Sequence, residues 1–544
     1  MSKKNNAKTV TSAEKMIPKK GVWNVLVYMA ADNSLKEECV FALIEILKLG
    51  PLPEVDVIVQ FDSGEAMTRY DFRKLRTFSK AKLSRLDLND IAEVLISDPM
   101  TLQHVSDASM LYGFLRDTVG ESDRNMVVLS GHGSGAVGDF LQTDNPPNSL
   151  SIPKLREVIE PIERQKGRKI DILGMDSCLM SMVEVCYQLH PHVDYLISAE
   201  GYQLNTGWPY SDILGLFKGK KQKNPDELAQ LTLKRYIDYY SPYYISGVSV
   251  DLSVIDLSDD NKIKDMTAAI NKLANLLRDN LHRPQIKNAV ILAHWKAQSY
   301  KFEQYADLWD FCNLLAKDLQ SGVYNIEEVK NLGQLVEGWD EIKKRNRYIK
   351  EVAKKAKEWE SLRRSIEDAC NKVMIAIDKI VPVTSYHGAA FQHSHGLSVY
   401  FPWSKTELEK NLPPYQNLAF ADLTKWDEFL IKYVDETQRE LRDDENLRAR
   451  NVRPMSMSPS GPGNHRVNPL TETRVNPLTE TRVNPLTETR VNPLTETRVN
   501  PLTETRVNPL TETRGKLLFA PDVKNPPTAF FTDSLTKKLR RKPR

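Results

Sequence analysis

Two residues in this chain stand where side-chain chemistry could be done. Cys178 closes "KIDILGMDSC", an apolar run ending in Asp-Ser-Cys, and the helix-like "LMSMVEVCYQL" follows it. His132 lies between two glycines in "NMVVLSGHGSG", just after another apolar run. Cysteine sulfur attacks a carbonyl as the thiolate, and an imidazole nearby can take its proton and later hand one to a leaving amine. The glycines beside His132 leave the backbone open to a substrate. The amide of Gly133, with that of Cys178 at an expected helix start, could donate two hydrogen bonds to a tetrahedral oxyanion. The same helix start would favour the thiolate. Each half alone is weak: Gly-His-Gly also makes plain turns, and free cysteine packs as a small hydrophobe.

The two halves gain weight from the elements that must position them. From Trp23 the chain alternates strand-like and helix-like segments. "WNVLVYMAA" and "VDVIVQFDSG" read as buried strands, separated by a helix capped by Asp32 or Asn33 and stopped at Gly50. "DFRKLRTFS" alternates like an edge or hairpin strand, and "NMVVLS", "KIDILGM" and "VDYLISAEG" continue the strand series. The stretch after His132 reads as a polar loop leading into the helix "SIPKLREVIEPIERQ". Apolar strands alternating with helices predict an α/β fold with a mostly parallel sheet covered on both faces. Such sheets place ligand sites at the carboxyl ends of their strands, where both His132 and Cys178 fall.

At 544 residues the chain can bury a large core. Its net charge of +3 gives no reason to expect nucleic acid as the main partner. The five cysteines, Cys39, Cys178, Cys186, Cys312 and Cys370, lack the spacing of a disulfide framework or a structural zinc site. No membrane span or secretory leader is evident, so a cytoplasmic location is expected.

Several blocks taken together resemble the clostripain-like cysteine peptidases, relatives of caspases, gingipains, legumain and separase. "NVLVYMAADNSL" is similar to that family's opening strand and turn, "VVLSGHGSG" to its histidine block and "LGMDSCLMSMVEV" to its cysteine block. "GWPY" resembles the loop after the next strand, and "HGLSVYFP" a late strand, so the likeness spans about Trp23 to Val434. It implies a caspase-like sandwich, a His132–Cys178 dyad, and cleavage of protein or peptide substrates after Arg or Lys. It also implies that Asp176 lies in the pocket for the basic side chain; the alternative is that Asp176 only accepts amides in its turn. A second acid is sought in "SAEGYQLNTGWPY", which supplies Glu200 but has Pro209 where related chains often carry an acid. No cofactor is required, with calcium left open because some family members respond to it.

The expected layout is a basic disordered tail (1–21), a catalytic α/β domain (22–215) and a mainly helical region contributing strands (216–440). A linker (441–465), six copies of "RVNPLTET" (466–513) and a basic tail (514–544) follow. Each repeat offers only Val and Leu around a proline, so disorder is expected. The repeats present Arg474, Arg482, Arg490, Arg498, Arg506 and Arg514 to a protease that prefers basic residues, whereas "AVGDFLQTDNPPNSLSIP" contains no Lys or Arg at which to self-cleave. Regulation by a protein partner, a signal or the tail is expected. His387, His393 and His395 read as core or strand-end histidines, and Cys186 as packed. The rival readings are an idle scaffold that binds basic segments in its cleft, and a hydrolase or acyltransferase of small molecules.

Overall fold

The computed structural model describes residues 22–451, apart from 65–66, 84–86, 98–107, 121, 146, 219–222, 301–303 and 322–341, together with 487–489 and 499–501. Its strands are β1 (Trp23–Ala30), β2 (Val55–Asp62), β3 (Met67–Asp71), β4 (Arg124–Ser130), β5 (Phe140–Asp144), β6 (Pro147–Leu150) and β7 (Ile170–Asp176). They continue with β8 (Val193–Ser198), β9 (Val250–Asp256), β10 (Ser299–Tyr300), β11 (Tyr305–Asp307), β12 (Val383–His387) and β13 (Ser398–Tyr400). Eight of them form one sheet in the order β12-β9-β8-β7-β4-β1-β2-β3. Strands β2, β1, β4, β7 and β8 run parallel, while β3 on one side and β9 on the other reverse direction.

The continuous apolar runs follow from this placement. Successive residues of a strand point to opposite faces, so a strand covered on both sides is hydrophobic at most positions. In β1, Leu26 and Tyr28 enter one core while Val25, Val27 and Met29 enter the other; in β4, Val127 and Leu129 face the first and Met126 and Val128 the second. The helix Ile152–Lys166 lines the first core through Leu155, Ile159 and Ile162. Helix α1 (Lys36–Lys48) lines the second through Leu43, Ile46 and Leu47, each a fully buried side chain contributing about 2 kcal/mol of transfer free energy. The Ser151 hydroxyl accepts the Lys154 amide at 3.3 Å, and Gly167, at φ +70°, closes that helix in the left-handed conformation.

The chain beyond residue 215 lends β9 and β12 to this sheet. "HGLSVYFP" supplies β13, which pairs with β11 in a separate three-stranded sheet. Three local expectations need correction. "DFRKLRTFS" is not a strand: β3 is the preceding "MTRYD", and Phe72–Thr77 is a 3-10 helix started by the Asp71 carboxylate accepting the Arg73 amide. The stretch after His132 is a hairpin, β5 and β6, rather than a loop. Neither Asp32 nor Asn33 caps α1, which has no side-chain cap. Within the repeats, Thr487–Thr489 pairs antiparallel with Val499–Pro501. The rest of the repeats and both tails lie outside the described residues. Among the described residues no helix is long and apolar enough to cross a membrane.

Candidate active site

Strands β4 and β7 are neighbours, and their register sets Ser130 opposite Asp176. His132 and Cys178 each lie two residues beyond that pair, so the strand ends deliver them to one cleft. Asp176 lies on its floor, and Gln203 and Gly207 belong to its wall.

His132 is held by a frame the sequence did not foretell. Its carbonyl accepts the Leu141 amide at 2.8 Å, tying it to the β5–β6 hairpin. The hairpin is tied in turn to the turn after β1. Asn33 Nδ2 donates to Gln142 O at 2.6 Å and to Ala30 O at 3.0 Å, and Asp32 accepts the Asn145 amide at 2.9 Å. "ADNSL" has the composition of a helix cap, but its polar side chains brace the hairpin. Ser34 of the same turn places Oγ 3.0 Å from His132 Nε2. Burial holds the imidazole below its ordinary pKa, against the opposing charge of Asp144, which favours the neutral form that can accept a proton.

Cys178 is not at a helix start, as its sequence context suggested. It lies in a turn, and the next helix begins at Val183. The turn is strained: buried Leu179 has φ +65°, a left-handed conformation that costs a non-glycine residue about 1–2 kcal/mol. It is strapped to the segment after β8 by Leu179 N–H to Gly201 O at 3.0 Å and Ser181 N–H to Ala199 O at 2.9 Å. The macrodipole argument for a thiolate therefore falls. A local donor replaces it, the Gln203 amide, 3.3 Å from Sγ. A hydrogen bond to sulfur strengthens when the sulfur carries charge. Gln203 is itself anchored through Nε2 to Met175 O at 3.3 Å, and nothing in its sequence context marked it.

Gly133 approaches the backbone of Cys178 closely. A Cβ there would stand 2.5 Å from Cys178 O and 3.2 Å from Cys178 N, so only glycine fits, and its main chain borders that of Cys178.

Asp176 is 5% exposed. Its Oδ2 accepts the hydroxyls of Ser130 and Tyr210, each at 2.9 Å. Burial pushes the carboxyl up to about 6, against those two hydroxyls and the Trp208 amide, which favour its charge. Glu200 does not reach this cleft. It is fully buried, accepts the Gly396 amide through Oε2 at 2.7 Å, and adjoins Asp251 and Asp307. His395 stacks on Trp309 with Nδ1 3.4 Å from Asp307 Oδ1, and Cys186 is buried in the helix Val183–Leu189. Among the described residues no group of three His, Cys, Asp or Glu side chains could hold a metal ion.

Comparison with curated proteins gave no match. Among solved structures, a secreted C11 cysteine protease from Bacteroides thetaiotaomicron with an irreversible peptide inhibitor is 18% identical. The alignment covers 75% of this chain and 100% of that one, with a TM-score of 0.48. An inactive zymogen C11 protease from Parabacteroides distasonis is 16% identical over 75% of this chain and 99% of that one, with a TM-score of 0.46. The model of the clostripain family, peptidase family C11, matches residues 27–433. With most of the chain matched, including the segments that carry His132 and Cys178, the protein belongs to the clostripain family of cysteine endopeptidases.

Proposed function

We propose that Cys178 and His132 form the catalytic dyad of this endopeptidase and that it cuts after Arg or Lys. The observation that carries the reading is the single cleft shared by Cys178, His132 and Asp176 at the ends of adjacent strands. His132 takes the thiol proton, and the thiolate attacks the scissile carbonyl carbon, forming the S–C bond. The carbonyl electron pair moves to oxygen, where the amides of Gly133 and Cys178 receive it. Collapse breaks the C–N bond, and His132 passes its proton to the departing amine. Water, deprotonated by His132, then attacks the thioester carbon; the C–S bond breaks, the acid product leaves, and His132 returns the proton to the Cys178 sulfur. The basic side chain of the substrate pairs with Asp176, whose charge is favoured once a guanidinium or ammonium approaches.

Regulation is proposed to involve the repeat tail, whose arginines are a tethered ladder of candidate sites at an effective concentration of about millimolar. One experiment addresses the dyad, the specificity and the tail. Full-length enzyme and Cys178→Ala are incubated with fluorogenic peptides ending in Arg, Lys, Asp or Leu, with and without calcium, and the tail is followed by mass spectrometry. Turnover after Arg or Lys that falls by about 10³-fold or more in the variant is expected. Equal turnover in both proteins overturns the dyad, turnover after Asp or Leu alone overturns the basic pocket, and an equally stable tail in both overturns self-trimming.

A further inference from the structure

We propose that Glu38 is the second acid of the pocket for the basic side chain, an inference that rests on the cleavage reading above. Where the sequence directs attention to the loop after β8, the structure puts Glu200 in a buried cluster elsewhere and supplies a carboxylate from α1 instead. Leu35, Glu38, Cys39 and Ala42 are spaced i, i+3, i+4 and i+7, so they form one stripe of the helix, and all four line the cleft. Leu35, Cys39 and Ala42 are buried hydrophobes, and Glu38 is the half-buried charge set among them.

Two further observations place it with Asp176. Glu38 and Asp176 line the same cleft, and the buried Cys39 thiol in that lining is raised chiefly by burial, with the charges of Asp176 and Glu38 adding to it. Among the described residues lining the cleft, Asp176 and Glu38 are the carboxylates and none is Lys or Arg. The floor carboxylate alone is a poor match for arginine. Asp176 Oδ2 already accepts two hydroxyls and the Trp208 amide adds a third donor, while a guanidinium presents five N–H groups. Glu38 brings a second carboxylate charge to the wall. A basic side chain entering between α1 and the segment Asn205–Gly207 meets Asp176 at its base and Glu38 at its flank.

A purely structural role is also available, since an acid in the first turn of α1 complements the helix dipole. The test separates the two. Full-length wild type, Glu38→Gln and Glu38→Asp are assayed with peptides identical except for Arg, Lys or the neutral isostere citrulline at the cleaved position, and thermal midpoints are recorded. The Arg-to-citrulline ratio of kcat/KM should fall about tenfold in Glu38→Gln, mainly through KM, and the fall should shrink at high salt. Glu38→Asp keeps the helix-terminal charge but withdraws it by one methylene, so its ratio should also fall. A ratio within about twofold of wild type in both variants overturns the proposal, whatever their midpoints. A wild type with no preference for Arg or Lys over citrulline sinks the cleavage reading itself.

Discussion

Replacing Asp176 with Asn makes specificity and stability move in opposite directions. The carboxyl sits at about 6 against an ordinary 3.8, a shift produced chiefly by burial. At about 1.4 kcal/mol per pKa unit, ionising this group costs the fold about 3 kcal/mol more than it costs the unfolded chain. The folded state therefore holds the proton longer. This contribution is best at low pH, weakens as pH rises from about 4 to about 6, and is flat above. Asn carries no such penalty. Its amide oxygen can still accept the Ser130 and Tyr210 hydroxyls, but its NH2 cannot accept the Trp208 amide, a loss of about 1 kcal/mol. Between about pH 4 and pH 8 the stability difference should shift in the variant's favour by about 2–3 kcal/mol, read by urea unfolding of both proteins at each pH. Activity should go the other way. Removing the buried partner of a guanidinium costs about 3–5 kcal/mol, so kcat/KM for an arginine peptide should drop about 10²- to 10³-fold while the citrulline peptide changes far less. In the wild type, turnover of basic peptides should rise through about pH 6 as Asp176 ionises. A folded Asp176→Asn that keeps its Arg-to-citrulline ratio, or that loses stability as pH rises relative to wild type, would refute the reasoning.

Two further outcomes are expected. Ser34→Ala removes the hydrogen bond on His132 Nε2, worth about 1 kcal/mol, so kcat should fall about fivefold with KM little changed. Ser34→Thr should recover the loss, and a pH–rate profile shows whether the imidazole has shifted; an unaltered kcat and profile would mean that Ser34 does not position the ring. Glu184, fully buried, accepts the Tyr400 amide at 2.9 Å and the Tyr415 hydroxyl at 3.3 Å, and burial pushes it up to about 7. Its contribution to stability should decline as pH rises from about 4.5 through about 7, so Glu184→Gln should gain about 3 kcal/mol on wild type between about pH 4 and pH 8 in urea unfolding. A pH-independent difference would remove that role.

Much of the scaffold was legible in local pattern. Strands such as "VLVYM" and "MVVLS" advertise burial on both faces because side-chain alternation sends successive residues into the two cores, where a polar group such as Asn24 must find a partner, here Thr118 O at 2.7 Å. Helix Ile152–Lys166 carries its own Ser cap and Gly stop. The strand-end placement of Cys178 and His132 was legible too, since an apolar run that breaks into glycines or Asp-Ser-Cys marks a strand's carboxyl end. What failed was local reading of polar residues whose partners are remote. "ADNSL" looks like a cap because Asp and Asn satisfy amides, but the amide that Asp32 satisfies lies 113 residues away. "DSCLMSM" reads as a helix start, yet the turn is strapped to Ala199 and Gly201 and the helix waits until Val183.

The sequence by itself determined the α/β alternation and the position of the candidate residues Cys178 and His132 at strand ends, because these follow from side-chain periodicity and from where apolar runs stop. Only the tertiary structure decided that β4 and β7 are neighbours, that Ser34 lies against His132 and Gln203 against Cys178, and that Glu38 of α1 lines the cleft with Asp176 while Glu200 does not. Those choices depend on which distant segments pack together, and packing is a property of the assembled core rather than of any one stretch of chain.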